Sequence, residues 1–135
     1  MIVLNKPAAE LKNTEAKTII EFFSKIQSAG TAERFIEKHP FLVKEDIVSN
    51  LYDSEVIFTS NTLKNIIIIP VSFSYGNDEK NEPEMKRVVE LLEGTLKNLK
   101  SPIAVNLTAV NLPTRKPIFW RNFFAERPQI FEIYE

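Results

Sequence analysis

Few residues in this chain of 135 are of a type that does chemistry, and their spacing is the place to begin. There is one histidine, His39, and no cysteine. A two-histidine metal site within one chain, a thiolate nucleophile and a cysteine zinc site are therefore excluded, and any triad would have to use His39. His39 sits in "EKHP" at the predicted end of a short helix. An imidazolium is favoured there by the helix dipole, and no nucleophile stands beside it, so a structural role is the reading. Three glycines are too few for the usual phosphate-cradling loops, and neither G-x-x-x-x-G-K nor G-x-G-x-x-G occurs. Acid-x-Lys triplets do occur, at Glu10/Lys12, Glu15/Lys17, Asp78/Lys80 and Glu84/Lys86. A carboxylate nuclease needs such groups clustered at strand ends to hold a cation and orient water. These fall in predicted helices, the N-terminal lead or a loop, as chance in a Lys- and Glu-rich chain would place them.

Two other constellations stand out. If the segments 66–75 and 102–112 are parallel strands, both end on one edge of a sheet. The loop residues Asn77, Asp78 and Glu79 then lie near Thr114, Arg115 and Lys116. Ligands of open α/β sheets favour that edge, so the cluster could bind a small polar ligand; solvated loops with loose ion pairs are the plainer reading. The second is "RKPIFWRNFF", 115–124, where Phe119, Trp120, Phe123 and Phe124 interleave with Arg115, Lys116 and Arg121. Basic and aromatic residues alternate in this way on single-stranded nucleic-acid platforms. On a helical wheel the four aromatics fall in one arc of about 140°, with Arg121, Asn122, Ala125 and Glu126 opposite. A helix between Pro117 and Pro128 with its aromatic side buried fits best. A partner-protein surface comes next and nucleic acid third, through Arg115, Lys116, Arg121 and Arg127 against only Glu126.

Composition sets the frame. Hydrophobic residues make up 44% and charged residues 26%, ordinary for a globular domain, and the net charge of −1 provides no overall field for nucleic acid. The start, "MIVLNKPAAE", lacks a signal peptide's basic and apolar regions, and the longest apolar run is Ile66 to Ile69. A soluble, cytoplasmic protein is expected, with no membrane partner.

The elements that must position these residues read as follows. Ala16, Ile19, Ile20, Phe23 and Ile26 recur at helical spacing, predicting a helix over 14–29 stopped by Gly30. Thr31 opens a second helix to about His39, and a third spans about 43–52. "EVIF" (55–58) and "IIIIPVSFSY" (66–75) read as strands of a hairpin, with a bulge or change of partner at Pro70. Asn81 with Glu84 resembles a capping box for a helix over about 83–100, whose apolar stripe includes Val88, Leu92 and Leu96. Gly94 lies on its opposite face. The segment 102–112 alternates as a strand with one partly polar face, and "QIFEIY" (129–134) is the last strand.

The expectation is one domain over 1–135, helical over 13–53, with a mixed sheet and crossover helix over 54–135. The fold class is α+β: N-terminal helices, then a mixed β-sheet of four or five strands with helices mainly on one face. Three helices before a hairpin is also winged-helix order, but the third, "VKEDIVSNLYD", is acidic and would repel phosphate. The leading function is a non-enzymatic protein-binding module (adaptor, inhibitor, immunity protein or chaperone) that binds a protein partner or itself and needs no cofactor or metal. Its candidate binding residues are Asp78, Glu79, Arg115, Lys116, Phe119, Trp120, Arg121, Phe124 and Arg127. A nucleic-acid binder using 115–127 is the alternative, and a small carboxylate enzyme comes after it.

Overall fold

The stretch "TIIEFFS" is a strand, where a helix over 14–29 was expected. In the computed structural model, which describes residues 1–26, 31–42, 50–60 and 63–135, Thr18–Ser24 forms a strand buried at every position. Ile20 and Phe22 enter the core on one face, while Ile19 and Phe23 enter it on the other. A short apolar run buried on both sides satisfies helical and extended spacing equally well. Its β-branched and aromatic content, and a partner strand on each side, make it a strand.

The chain order is β1 (Ile2–Lys6), a 3-10 helix (Ala8–Asn13), β2 (Thr18–Ser24), α1 (Thr31–Lys38), α2 (Asn50–Asp53), β3 (Ile57–Ser60) and β4 (Asn65–Val71). It continues with α3 (Asp78–Leu96), β5 (Ile103–Asn106), α4 (Thr108–Thr114), α5 (Pro117–Ala125) and β6 (Phe131–Tyr134). One six-stranded sheet has the order β1-β6-β5-β2-β4-β3. All neighbours are parallel except β3, which returns antiparallel to β4 as a hairpin. The sheet is mixed, as expected, but six strands replace four or five. The helices are not N-terminal, because β1 and β2 come from the first 24 residues.

Nor do the helices lie mainly on one face. On the first face α3, α4 and α5 supply Val88, Leu92, Val110, Trp120 and Phe124 to a core with Ile20, Ile67 and Val105. On the second, Ala32 and Ile36 of α1 and Leu51 of α2 pack against Phe23, Ile66 and Ile68. Leu11 of the 3-10 helix covers Ile19, Ala104 and Tyr134. The expected strand 102–112 is shorter, and this explains the error. β5 ends at Asn106, whose Oδ1 accepts the Thr108 N–H at 3.1 Å and starts α4. The polar residues that suggested an uncovered face belong to the turn and helix beyond it, and Ala104 is fully buried.

Local chemistry sets the remaining boundaries. The ladder of β4 with β3 stops at Ile68, while that with β2 continues through Pro70 to Val71. Pro70 therefore sits where its missing N–H is not needed, and its carbonyl accepts from Arg87 Nη2 at 2.9 Å. Beyond Val71 the backbone turns to α3: Glu84 accepts the Ser72 N–H at 2.6 Å, and Asn81 accepts the Ser74 N–H at 2.7 Å. Asn77, not Asn81, caps α3, its side chain accepting the Lys80 N–H at 3.0 Å. The expected third helix falls largely on 43–49, outside the described residues; Asn50–Asp53 is helical.

Candidate functional site

β2 and β5 are neighbours, and the chain leaves their carboxyl ends toward opposite faces. After β2 it passes to α1 on the second face; after β5 it enters α4 and α5 on the first. This is a topological switch point, where diverging connections leave a crevice outside the strand ends. A cavity of about 620 Å³ lies there, walled by the 3-10 helix on one side and α1 on the other. Its volume is in the range of small-molecule sites.

The floor is polar although it belongs to the sheet's centre. Glu21 of β2 is in register with Asn106 of β5, so both side chains stand on the second face, side by side. Glu21 Oε2 lies 2.9 Å from His39 Nε2, and the two side chains are only 7% and 1% exposed. His39 follows the last residue of α1, and its Nδ1 accepts the Phe41 N–H at 3.1 Å. The ring proton is thereby assigned to Nε2, facing Glu21. The approach is close but out of line for a hydrogen bond, so it is an electrostatic contact. Nδ1 is committed as an acceptor and Nε2 carries the proton, which leaves His39 no free lone pair to act as a base. Thr108 Oγ1, also lining the cavity, is buried with no hydrogen-bond partner among the described residues.

The rim carries the opposite charge. Lys12 projects from the 3-10 helix, and Arg34 and Lys38 come from α1, one turn apart. All three are exposed, and none forms an ion pair among the described residues. Glu21 is the one acid among the described lining residues.

The residues singled out from sequence lie elsewhere. β4 and β5 are parallel to each other through β2, which stands between them. The loops after them do meet: Lys116 Nζ is 3.6 Å from Asp78 Oδ2, and the Arg115 guanidinium lies against Gly76. Asp78 and Lys116 border a shallow groove of about 600 Å³ with Met85, Val89, Glu90, Glu93 and Phe119. Glu79 is exposed and does not line it. Inserting β2 moves the switch point to β2 and β5, so the crevice draws on Lys12, Glu21, Arg34, Lys38 and His39 instead.

The aromatic helix divides in the same way. Trp120 and Phe124 are fully buried, while Phe119 remains 41% exposed. The Trp120 indole N–H donates to Thr114 Oγ1 at 3.1 Å. Arg121 pairs with Glu135 at 2.6 Å, and Arg127 stacks on the Phe123 ring, 3.9 Å from its centroid. Glu135 lies below the usual carboxylate range: burial alone would raise it, and hydrogen bonds from Arg121 and Asn5, the Arg121 charge and Asn111 reverse that.

Sequence reasoning passed over Glu21 because it fell on the polar side of an assumed helix. The available signal was a lone acid inside "IIEFF", flanked by aromatic and β-branched residues on both sides. Among the described residues no group of three or more His, Asp or Glu could hold a metal ion, and no helix is long and apolar enough to cross a membrane. Comparison of the chain with protein-family models, with curated proteins and with solved structures returns no match.

Proposed function

We propose that this chain is a ligand-binding domain whose switch-point crevice takes a small anionic molecule bearing a carboxylate or phosphate. The observation that carries the reading is the convergence of Lys12, Arg34 and Lys38, from two separate elements, on one cavity at the carboxyl ends of β2 and β5. Guanidinium and ammonium groups recognise such anions by charge-assisted hydrogen bonds. His39 Nδ1 is committed to the Phe41 N–H and Nε2 carries the ring proton, so the imidazole has no free lone pair and binding without turnover is the simpler assignment. The test is titration of the protein with ethyl phosphate and with propionate, followed by amide NMR. Shifts concentrated at 21–24, 34–39 and 106–109, weakened about tenfold by the Arg34→Ala/Lys38→Ala double variant, support it. Shifts scattered over the surface, or insensitive to the variant, rule it out.

A protein-binding module is the second reading, favoured by the groove between α3 and α5. Met85, Val89 and Phe119 are its apolar centre, and Glu90 and Glu93 beside them form no ion pair among the described residues. Phe119→Ala abolishing a pulldown interaction while leaving crevice titrations unchanged is the result that favours it. The nucleic-acid alternative draws less support, since Lys116, Arg121 and Arg127 are already engaged by an acid or a ring.

A further inference from the structure

We infer that the crevice ligand is bifunctional, with an ammonium group that binds the Glu21 carboxylate at the floor while its anionic group meets Lys12, Arg34 and Lys38 at the rim. This rests on the anion-binding reading above and adds the second half of the recognition.

Glu21 is the reason. Its side chain is 7% exposed, in the central strand, between Ile19 and Phe23 and in register with Ile68 and Asn106. An ionised carboxylate accepts up to about four hydrogen bonds, and burying one without them is costly. Oε2 has only the out-of-line contact with His39. Oε1 accepts no hydrogen bond among the described residues and is not one of the polar atoms sealed from solvent, so a ligand can reach it. His39 cannot supply more, because its second nitrogen is committed to the Phe41 N–H. Nor do the rim cations reach down, since none pairs with Glu21 among the described residues. Among the described residues the crevice is thus polarised, with unpaired cations outside and a carboxylate that accepts no hydrogen bond inside. A plain anion penetrating to the floor meets like charge, whereas an ammonium supplies up to three donors in charge-assisted bonds. A hydroxyl supplies one neutral donor and is the weaker match.

The experiment uses the full chain and matched probes near pH 7: phosphoethanolamine against ethyl phosphate, and β-alanine against 3-hydroxypropionate and propionate. The expected result is a preference of about tenfold for each amine over its amine-free analogue. Glu21→Gln should reduce that preference to less than about threefold, and Arg34→Ala/Lys38→Ala should weaken every probe. Equal affinities within each set, all sensitive to the rim variant, overturn the ammonium assignment and leave the anion reading standing. A 3-hydroxypropionate affinity equal to that of β-alanine assigns a hydroxyl donor instead and also overturns it. No binding of any probe up to about 10 mM, or binding indifferent to the rim variant, removes both readings together. If Glu21→Gln is unfolded by circular dichroism, the amide shifts of Glu21 and Asn106 in the parent protein decide. They should move with β-alanine and not with propionate, and identical responses overturn the inference.

Discussion

The Trp120 indole N–H points at the hydroxyl of Thr114, 3.1 Å away, and that hydroxyl in turn donates to the Val110 carbonyl. One buried threonine thereby joins α4 to α5 and satisfies the polar atom of the largest side chain in the core. Thr114→Val keeps the shape and removes the acceptor, leaving the indole N–H without a partner. The expected cost is about 1–3 kcal/mol by urea denaturation. Trp120 is the only tryptophan and is fully buried, so its emission should be blue-shifted and shielded from acrylamide. Quenching as strong as that of free tryptophan contradicts this packing.

Removing His39 disturbs two contacts at once. His39→Ala removes the imidazole that stands against the Glu21 carboxylate and the Nδ1 that accepts the Phe41 N–H. A loss of about 2–3 kcal/mol is expected from the vacated space and the lost hydrogen bond. Glu21→Gln removes the charge itself and should cost less, about 1–2 kcal/mol. Equal losses in the two variants would show that the vacated space does not set the penalty.

Acid stability should report on Glu84. Burial pushes its carboxyl up, but the Arg87 hydrogen bond, the Ser72 N–H and the charges of Arg87 and Lys25 together hold it below the ordinary value. A depressed folded-state pKa means that the unfolded chain binds more protons between the two values. The contribution is complete above the unfolded value of about 4.3 and disappears as pH falls through the folded one. Urea midpoints from about pH 6 to about pH 2 should therefore show a shallower acid decline in Glu84→Gln. Parallel curves for the two proteins would dismiss the coupling.

Two glycines should respond in opposite directions to alanine. Gly94 is exposed on α3 and an added Cβ meets nothing within 4 Å, so Gly94→Ala should stabilise by up to about 1 kcal/mol. Gly76 holds φ +65° in the turn before α3, with the Arg115 guanidinium 3.5 Å from the position a Cβ would take. Gly76→Ala should destabilise by about 1–2 kcal/mol. Thermal denaturation of the pair checks both signs.

How far the sequence could be read depended on how each element is covered. α3 carries a helical stripe with one wet face, and α5 is bracketed by Pro117 and Pro128, so both were legible to within a few residues. The β3–β4 hairpin was legible from its turn and the isoleucine run. β2 was not, because Ile19, Ile20, Phe22 and Phe23 are buried on both faces and carry no period of their own. That error displaced the site as well as the strand. With β2 absent from the sheet, a ligand was expected at the shared edge where 66–75 and 102–112 end. β1 was missed because its apolar run, Ile2 to Leu4, is only three residues long and does not alternate, as suits an edge strand with only two of five residues partly buried.

The pairing of β1 with β6 has a kinetic consequence. Ile2 lies opposite Phe131 and Lys6 opposite Tyr134, so this edge forms only by joining segments almost a whole chain length apart. Such contacts carry the largest loop-closure penalty and tend to form after the folding barrier. Substitutions in β1 should then leave the folding rate nearly unchanged and appear as faster unfolding. Of all the strands, β1 would be the first to detach from the native sheet and the last to join it.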